Sequence, residues 1–382
     1  MHLPRLTAVI ATAAAAMAFT LAPASTASAS GHRAHDTVGA VFVQTDDPSH
    51  NAVIAYNRAA DGTLTRAGTY GTGGKGAQLA GAVVDPLASQ GALTLDRSRN
   101  LLFAVNGGSD TLTVFGVHGS RLDVRQVLGT HGDVPVSVSV VGNLAYVLNA
   151  RDGGSITGYR LLGGTVVPLP GSTRQLNLAD NGNPEFLQTA SQVAITPDGR
   201  AVVVATKTHG TLVTFPLDRS GRPAAAPVVT TSGAVPFALS FDRGGRLVVI
   251  DASGLVTTYR VHADGTLGKL SSIGPTGQAA ACWSVVVHGT VYVANAGSDS
   301  ISSVKDHHGQ LTLLDATAAH TDGGPIDLAA SRGGRFIYQL SGANGRIDEF
   351  RRAADGSLTS IGSVETGLGA TSGHPLEGIA AS

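Results

Sequence analysis

A segment of about 45 residues recurs along most of this chain, and nothing else in the sequence restricts the possible folds as strongly. Copies begin at Gly91, Pro135, Ser191, Pro236, Cys282 and Pro325, with one insertion after Leu169. Each copy reads as four short strands. An alternating apolar strand leads into a polar turn such as "PDGR" (197–200) or "DRGGR" (242–246). A second apolar run follows, then a Gly/Asn/Ser/Asp loop, a third strand, an "ADGTL"-type turn and a fourth strand. No helical period interrupts the pattern.

The two ends supply one more unit. Residues 38–70 hold the second to fourth strands of a copy without a first, whereas "HPLEGIAAS" (374–382) holds a first strand alone. Joining them makes seven units. The expected fold is therefore all-β: a seven-bladed β-propeller with four antiparallel strands per blade, closed by the C-terminal strand joining the first blade. Closure removes the exposed sheet edges that an open ring would present. It also stands in for disulfides, because the chain has one cysteine, Cys282.

Residues 1–29 read as a secretory signal, with Arg5 before an apolar stretch from Leu6 to Leu21 and Ala27-Ser28-Ala29 as a cleavage site. Cleavage near Ala29 leaves a flexible mature N-terminus (30–37) and a propeller over 38–382. The expected location is extracellular or within the cell envelope or periplasm. No later stretch is apolar enough for membrane insertion. Lys and Arg total 26 against 27 Asp and Glu, so net charge gives no reason to expect nucleic acid as a partner. The chain is expected to be a monomer.

The motifs "TPDGRAVVVATK", "GAVPFALSFDRGGRLVVID", "CWSVVVHGTVYVANAGSDSIS", "GGPIDLAASRGGRFIYQL" and "RAADGTLTRAGTYGTGGKG" resemble the repeats of seven-bladed lactonase-type propellers. That family includes 6-phosphogluconolactonases and carboxymuconate cyclase-like enzymes, and the resemblance spans residues 38–382. It implies lactone or small organic acid chemistry in the central channel, without nicotinamide, flavin or other cofactor. Two departures accompany it. Where the resemblance implies Gly-Pro-Arg-His, this chain has Val235-Pro236-Phe237-Ala238. Where it implies histidines before a Pro-Asp-Gly turn, this chain has Thr189-Ala190-Ser191-Gln192.

Candidate site residues lie in the loops that lead into inner strands. Two such loops are long: 71–90, with Lys75, Gln78 and Asp85, and 170–190, with Arg174, Asp180 and Glu185. A hydrolytic site would use Glu185 or His131 as general base and Arg174 or Lys75 as oxyanion partner. Lys75, Gln278, Glu377 and His374 are the candidate ligand-binding side chains. Solvated rim charges would look the same in sequence. No metal site is expected: "TDDPSHN" (45–51) and "LADNGNPE" (178–185) are oxygen-rich but read as ordinary turns.

Cys282-Trp283 superficially resembles a nucleophile motif. Aligned on the repeats, however, Cys282 matches the Pro135 and Pro236 positions at the start of an inner strand. A strand offers no helix N-terminus to lower a thiol pKa. Cys282 is therefore expected to be a small, partly buried residue and Trp283 a packing residue. Two functions fit the sequence: a lactonase-like hydrolase or isomerase, or a non-catalytic propeller that binds a carbohydrate, peptide or envelope partner.

Overall fold

The second strands of the blades are predominantly apolar, as in Leu101–Asn106 and Thr290–Asn295, and every residue of those two strands is buried. Such runs form where a sheet is covered on both faces. The fourth strands alternate instead. Arg121–Gly129 buries Leu122 among exposed residues because its outer edge meets solvent. The computed structural model describes residues 37–274 and 276–382. The expected leader and residues 30–36 lie outside them. The described residues form one compact unit.

Seven antiparallel sheets make up this unit. Their inner strands are Glu377–Ala381 (blade 1), Leu93–Asp96 (blade 2), Pro135–Val141 (blade 3), Gln192–Ile195 (blade 4), Pro236–Phe241 (blade 5), Ala281–Val287 (blade 6) and Pro325–Ala330 (blade 7). Blade 1 closes the ring as expected. The C-terminal strand pairs with Thr37–Gln44 through Phe42↔Ala380 and Val43↔Ile379. The insertion after Leu169 adds two features absent from the repeat: the short strand Arg174–Gln175, paired with Ser155 and Ile156, and a single helical turn, Glu185–Gln188.

The channel-facing edges of the inner strands are satisfied by side chains of neighbouring blades. Ser139 Oγ accepts from Ile195 N at 3.0 Å, and Asp327 Oδ2 accepts from Ile379 N at 3.2 Å. Gln192 both donates to Leu239 O (2.9 Å) and accepts from Leu239 N (2.6 Å). Farther out, second-strand tyrosines tie successive blades. Tyr146, Tyr292 and Tyr338 donate to Gly221 O, Gly356 O and Gly62 O, each at 2.7 Å.

Several inner strands carry a β-bulge near their start, which turns one extra residue out of register. Pairing skips Val136, Phe237, Cys282 and Asp327. This corrects the repeat alignment by one residue: Ala281, not Cys282, takes the position of Pro135 and Pro236. The bulge is a backbone event that the alternation of apolar residues does not reveal.

Candidate active site at the loop-covered end of the channel

The inner strands start at one end of the channel, here called the upper end. The turns joining first and second strands mark the lower end. The loop after Gly71 crosses the upper end before entering blade 2, and its small and apolar residues let it pack there. Leu79, Leu87 and Ser89 are fully buried. Ala88 turns at φ 46°.

Side chains from several blades hold this loop. Glu185 Oε2 accepts from Ala80 N (2.7 Å), and Glu377 Oε2 accepts from Leu87 N (3.1 Å). Lys207 Nζ donates to Ala88 O (3.0 Å), and Trp283 Nε1 donates to Ser89 O (2.7 Å). Just below, the Gln90 amide bridges across to blade 6, donating to Ser284 O and accepting from Ser284 N.

Beneath the loop lies a cluster of buried ionisable groups. Lys207 opens a 3₁₀ turn after the second strand of blade 4, is fully buried, and also donates to Thr189 Oγ1 at 3.1 Å. Burial pushes its pKa down to about 7, against the opposing pull of Asp85, Cys282 and Glu377. Burial likewise raises Asp85, Glu377 and Asp46; the charge of Asp85 adds to the rise at Glu377 and Asp46, whereas a hydrogen bond with Glu377 and the Lys207 charge pull Asp85 back down. Gln44 Oε1, Asp46 Oδ1 and Asp85 Oδ1 are buried acceptors without a donor. A protonated carboxyl supplies the missing O–H, so the raised pKa values and the orphaned oxygens agree. Among the described residues, no group of three His, Cys, Asp or Glu side chains is arranged to hold a metal.

Residues 165–287 match the family model for lactonase, 7-bladed beta-propeller. The solved structure of the periplasmic gluconolactonase PpgL of Pseudomonas aeruginosa is similar along 90% of this chain and 98% of its own, at 20% identity and a TM-score of 0.68. A candidate 6-phosphogluconolactonase of Bacteroides uniformis is similar along 86% and 96%, at 15% identity and a TM-score of 0.67. A Lactobacillus plantarum protein reaches a TM-score of 0.69 at 17% identity, over 90% of this chain and 99% of that one. The chain is a seven-bladed propeller that matches the lactonase family model over residues 165–287. At these identities the structural likeness concerns the fold. No curated protein matches the chain.

Of the candidate residues singled out in sequence, Asp85 and Glu377 lie in the buried cluster. Glu185 lies on the rim, where Arg151 Nε donates to it at 2.6 Å. That bond, with the Ala80 N–H, holds its carboxyl below the usual range, so it latches the loop as an anion. Arg174 is spent on backbone carbonyls, including Ala224 O (2.8 Å) and Pro223 O, and does not meet Glu185. Lys75, His131 and His374 are exposed. Gln278 bonds Thr317 Oγ1 and Ser300 Oγ within blade 6.

Lys207 was not singled out, although the repeats mark it. It fills the position held by Gly107, Ala150, Ala252, Ala296 and Gly342 in other copies, where a small residue follows the second strand. Its ammonium lies 5.9 Å from the Phe237 ring centroid. A cation therefore sits beside the residue that replaces the arginine implied by the family resemblance.

Cys282 is buried more completely than the partial burial expected from sequence. Burial and the nearby Asp85 push its thiol pKa up. Trp283 packs edge-on against Phe237, with ring centroids 5.1 Å apart. A bulky maleimide is expected to label Cys282 only upon unfolding in denaturant. Rapid labelling of the native protein, read by intact mass, would show that the upper end opens freely.

Proposed function

We propose that this propeller hydrolyses or isomerises a lactone, or a related small organic acid, at the upper end of its channel. Lys207, Asp85 and Glu377 are the reacting groups in this proposal. The observation that carries it is the placement of a lysine poised near neutrality beside two buried carboxyls under the loop of a lactonase-type channel. Groups with such displaced pKa values concentrate at functional sites.

Ring opening needs a base for water, charge to meet the oxyanion, and a proton for the departing alkoxide. Neutral Lys207 takes the proton from water as the new C–O bond forms. The acyl C–O bond of the ring then breaks, and the Asp85–Glu377 pair gives its proton to the leaving oxygen. Glu185 holds the covering loop shut around the site. Export of the mature chain and action as a monomer belong to the same reading. The periplasmic location named for the Pseudomonas neighbour supports the former.

A panel of aldonolactones and muconolactones tests this proposal. Turnover is expected with wild type and is expected to fall at least about 100-fold in Lys207→Met and Glu377→Gln. Absence of turnover on every lactone, or turnover unchanged in both variants, would overturn it. The packed loop favours a second reading, a non-catalytic propeller that binds a carbohydrate, peptide or envelope partner. Thermal stabilisation by a glycan or peptide, without turnover of any lactone, is its expected signature.

A further inference from the structure

The lower end of the channel is built differently from the upper. Gln90 forms the roof of a funnel that opens downward, about 580 Å³ on the Phe241 side and about 300 Å³ on the Arg97 side. Its walls carry partly exposed apolar side chains from four blades: Leu95, Val140, Phe241 and Val285. The polar groups of the wall are already occupied. Thr94 Oγ1 donates to Val138 O, and the Asp327 oxygens accept from Leu328 N and Ile379 N.

The rim is cationic. The turns around the mouth contain Asp96, Asp198 and Asp242, and each lies beside the arginine of its own turn: Arg99 at 2.8 Å, Arg200 at 3.9 Å and Arg246 at 2.7 Å. Among the described residues, Arg97, Arg243 and Arg332 have no carboxylate partner. Arg97 donates Nε and Nη2 to the carbonyls of Ala381 and Ala330, which leaves Nη1 turned to no protein acceptor. Arg332 is exposed and is among the charges that, after burial, push the Arg97 guanidinium down. Arg243 meets the His288 ring across the boundary of blades 5 and 6. Like charges held together beside an apolar hollow favour an anion that can enter it.

We propose that this funnel is a binding site for a small organic anion with an apolar body, an aliphatic or aromatic carboxylate. The apolar body fills the wall region below Gln90, and the carboxylate meets the guanidiniums of Arg97 and Arg332 at the rim. The site is separate from the loop-covered end, so its occupancy does not depend on lactone turnover.

Titration calorimetry with sodium octanoate tests the site, with acetate and 1-hexanol as probes of the charge alone and the apolar body alone. Octanoate is expected to bind, and acetate and hexanol to bind at least about tenfold more weakly. Arg332→Gln combined with Arg243→Gln changes exposed side chains and is expected to weaken octanoate about tenfold, as is 0.5 M salt, with the melting temperature unchanged. Adding Arg97→Gln is expected to weaken it further. No heat from octanoate, or equal affinity in the double variant, or hexanol binding as tightly as octanoate, would overturn the proposal.

Discussion

Removing residues 374–382 is expected to lower the melting temperature by about 10 °C or more, read by scanning calorimetry. The segment supplies the inner strand of blade 1, and its loss uncovers several contacts at once. Leu376 and Ile379 are buried, and each contributes roughly 1.5–3 kcal/mol by leaving water. Val41, Phe42 and Val43 lose their partner strand, and the Thr37–Gln44 strand becomes a bare edge. Three further bonds disappear: Arg97 to Ala381 O, Ile379 N to Asp327, and Glu377 to the upper loop. At roughly 2–4 °C per kcal/mol for chains of 150–250 residues, and somewhat less for a longer one, these losses reach the stated shift. An unchanged melt would mean that the ring holds without its closing strand.

The closing strand was legible because its alternation repeats that of Pro325–Ala330: "HPLEGIA" and "GPIDLAA" carry an acid at the same place, Glu377 and Asp327. Periodicity of apolar residues reports strands and their order, and it gave seven blades from the two incomplete ends. It does not report bulges, which is why Cys282 was read one position out of step. Nor does it report where a loop of small residues will lie. The stretch from Gly71 to Gln90 contains nothing periodic, yet its path across the channel decides which side chains are buried together. Arg174 shows the same limit from the other side. Its charge suggested an oxyanion partner, but four backbone carbonyls within reach consume its donors. Lys207 shows what a closer comparison of repeats could have added, since a lysine in a column of glycine and alanine departs from packing and asks for a reason.

Stability is expected to be greater at pH 5 than at pH 7.5, the reverse of a protein held by ionised carboxylates. Burial pushes Asp327 up to about 7, from an ordinary value of 3.8. Burial also raises Glu349 to about 7 and Asp348 to about 6. Between pH 4 and 7 the folded chain thus keeps protons that the unfolded chain releases. Fewer protons on the unfolded chain make the slope of unfolding free energy against pH negative, so stability falls as pH rises through this window. Asp327 alone contributes on the order of 3 kcal/mol to the fall, because each tenfold change in proton affinity corresponds to about 1.4 kcal/mol. Lys207 acts in the opposite sense at higher pH. Its pKa is about 7 folded and 10.5 ordinarily, so the unfolded chain binds the extra proton across that interval and stability recovers as pH rises through it. Melting temperatures measured from pH 4.5 to 10 should therefore pass through a minimum near neutrality. Asp327→Asn keeps the shape of the side chain and removes its titration, so the drop between pH 5 and 7.5 should become clearly smaller without vanishing. Lys207→Met should abolish the recovery above pH 8. A pH profile of Asp327→Asn that follows wild type would show that Asp327 is ionised in the folded chain, and a flat wild-type profile would show the same for the buried acids together.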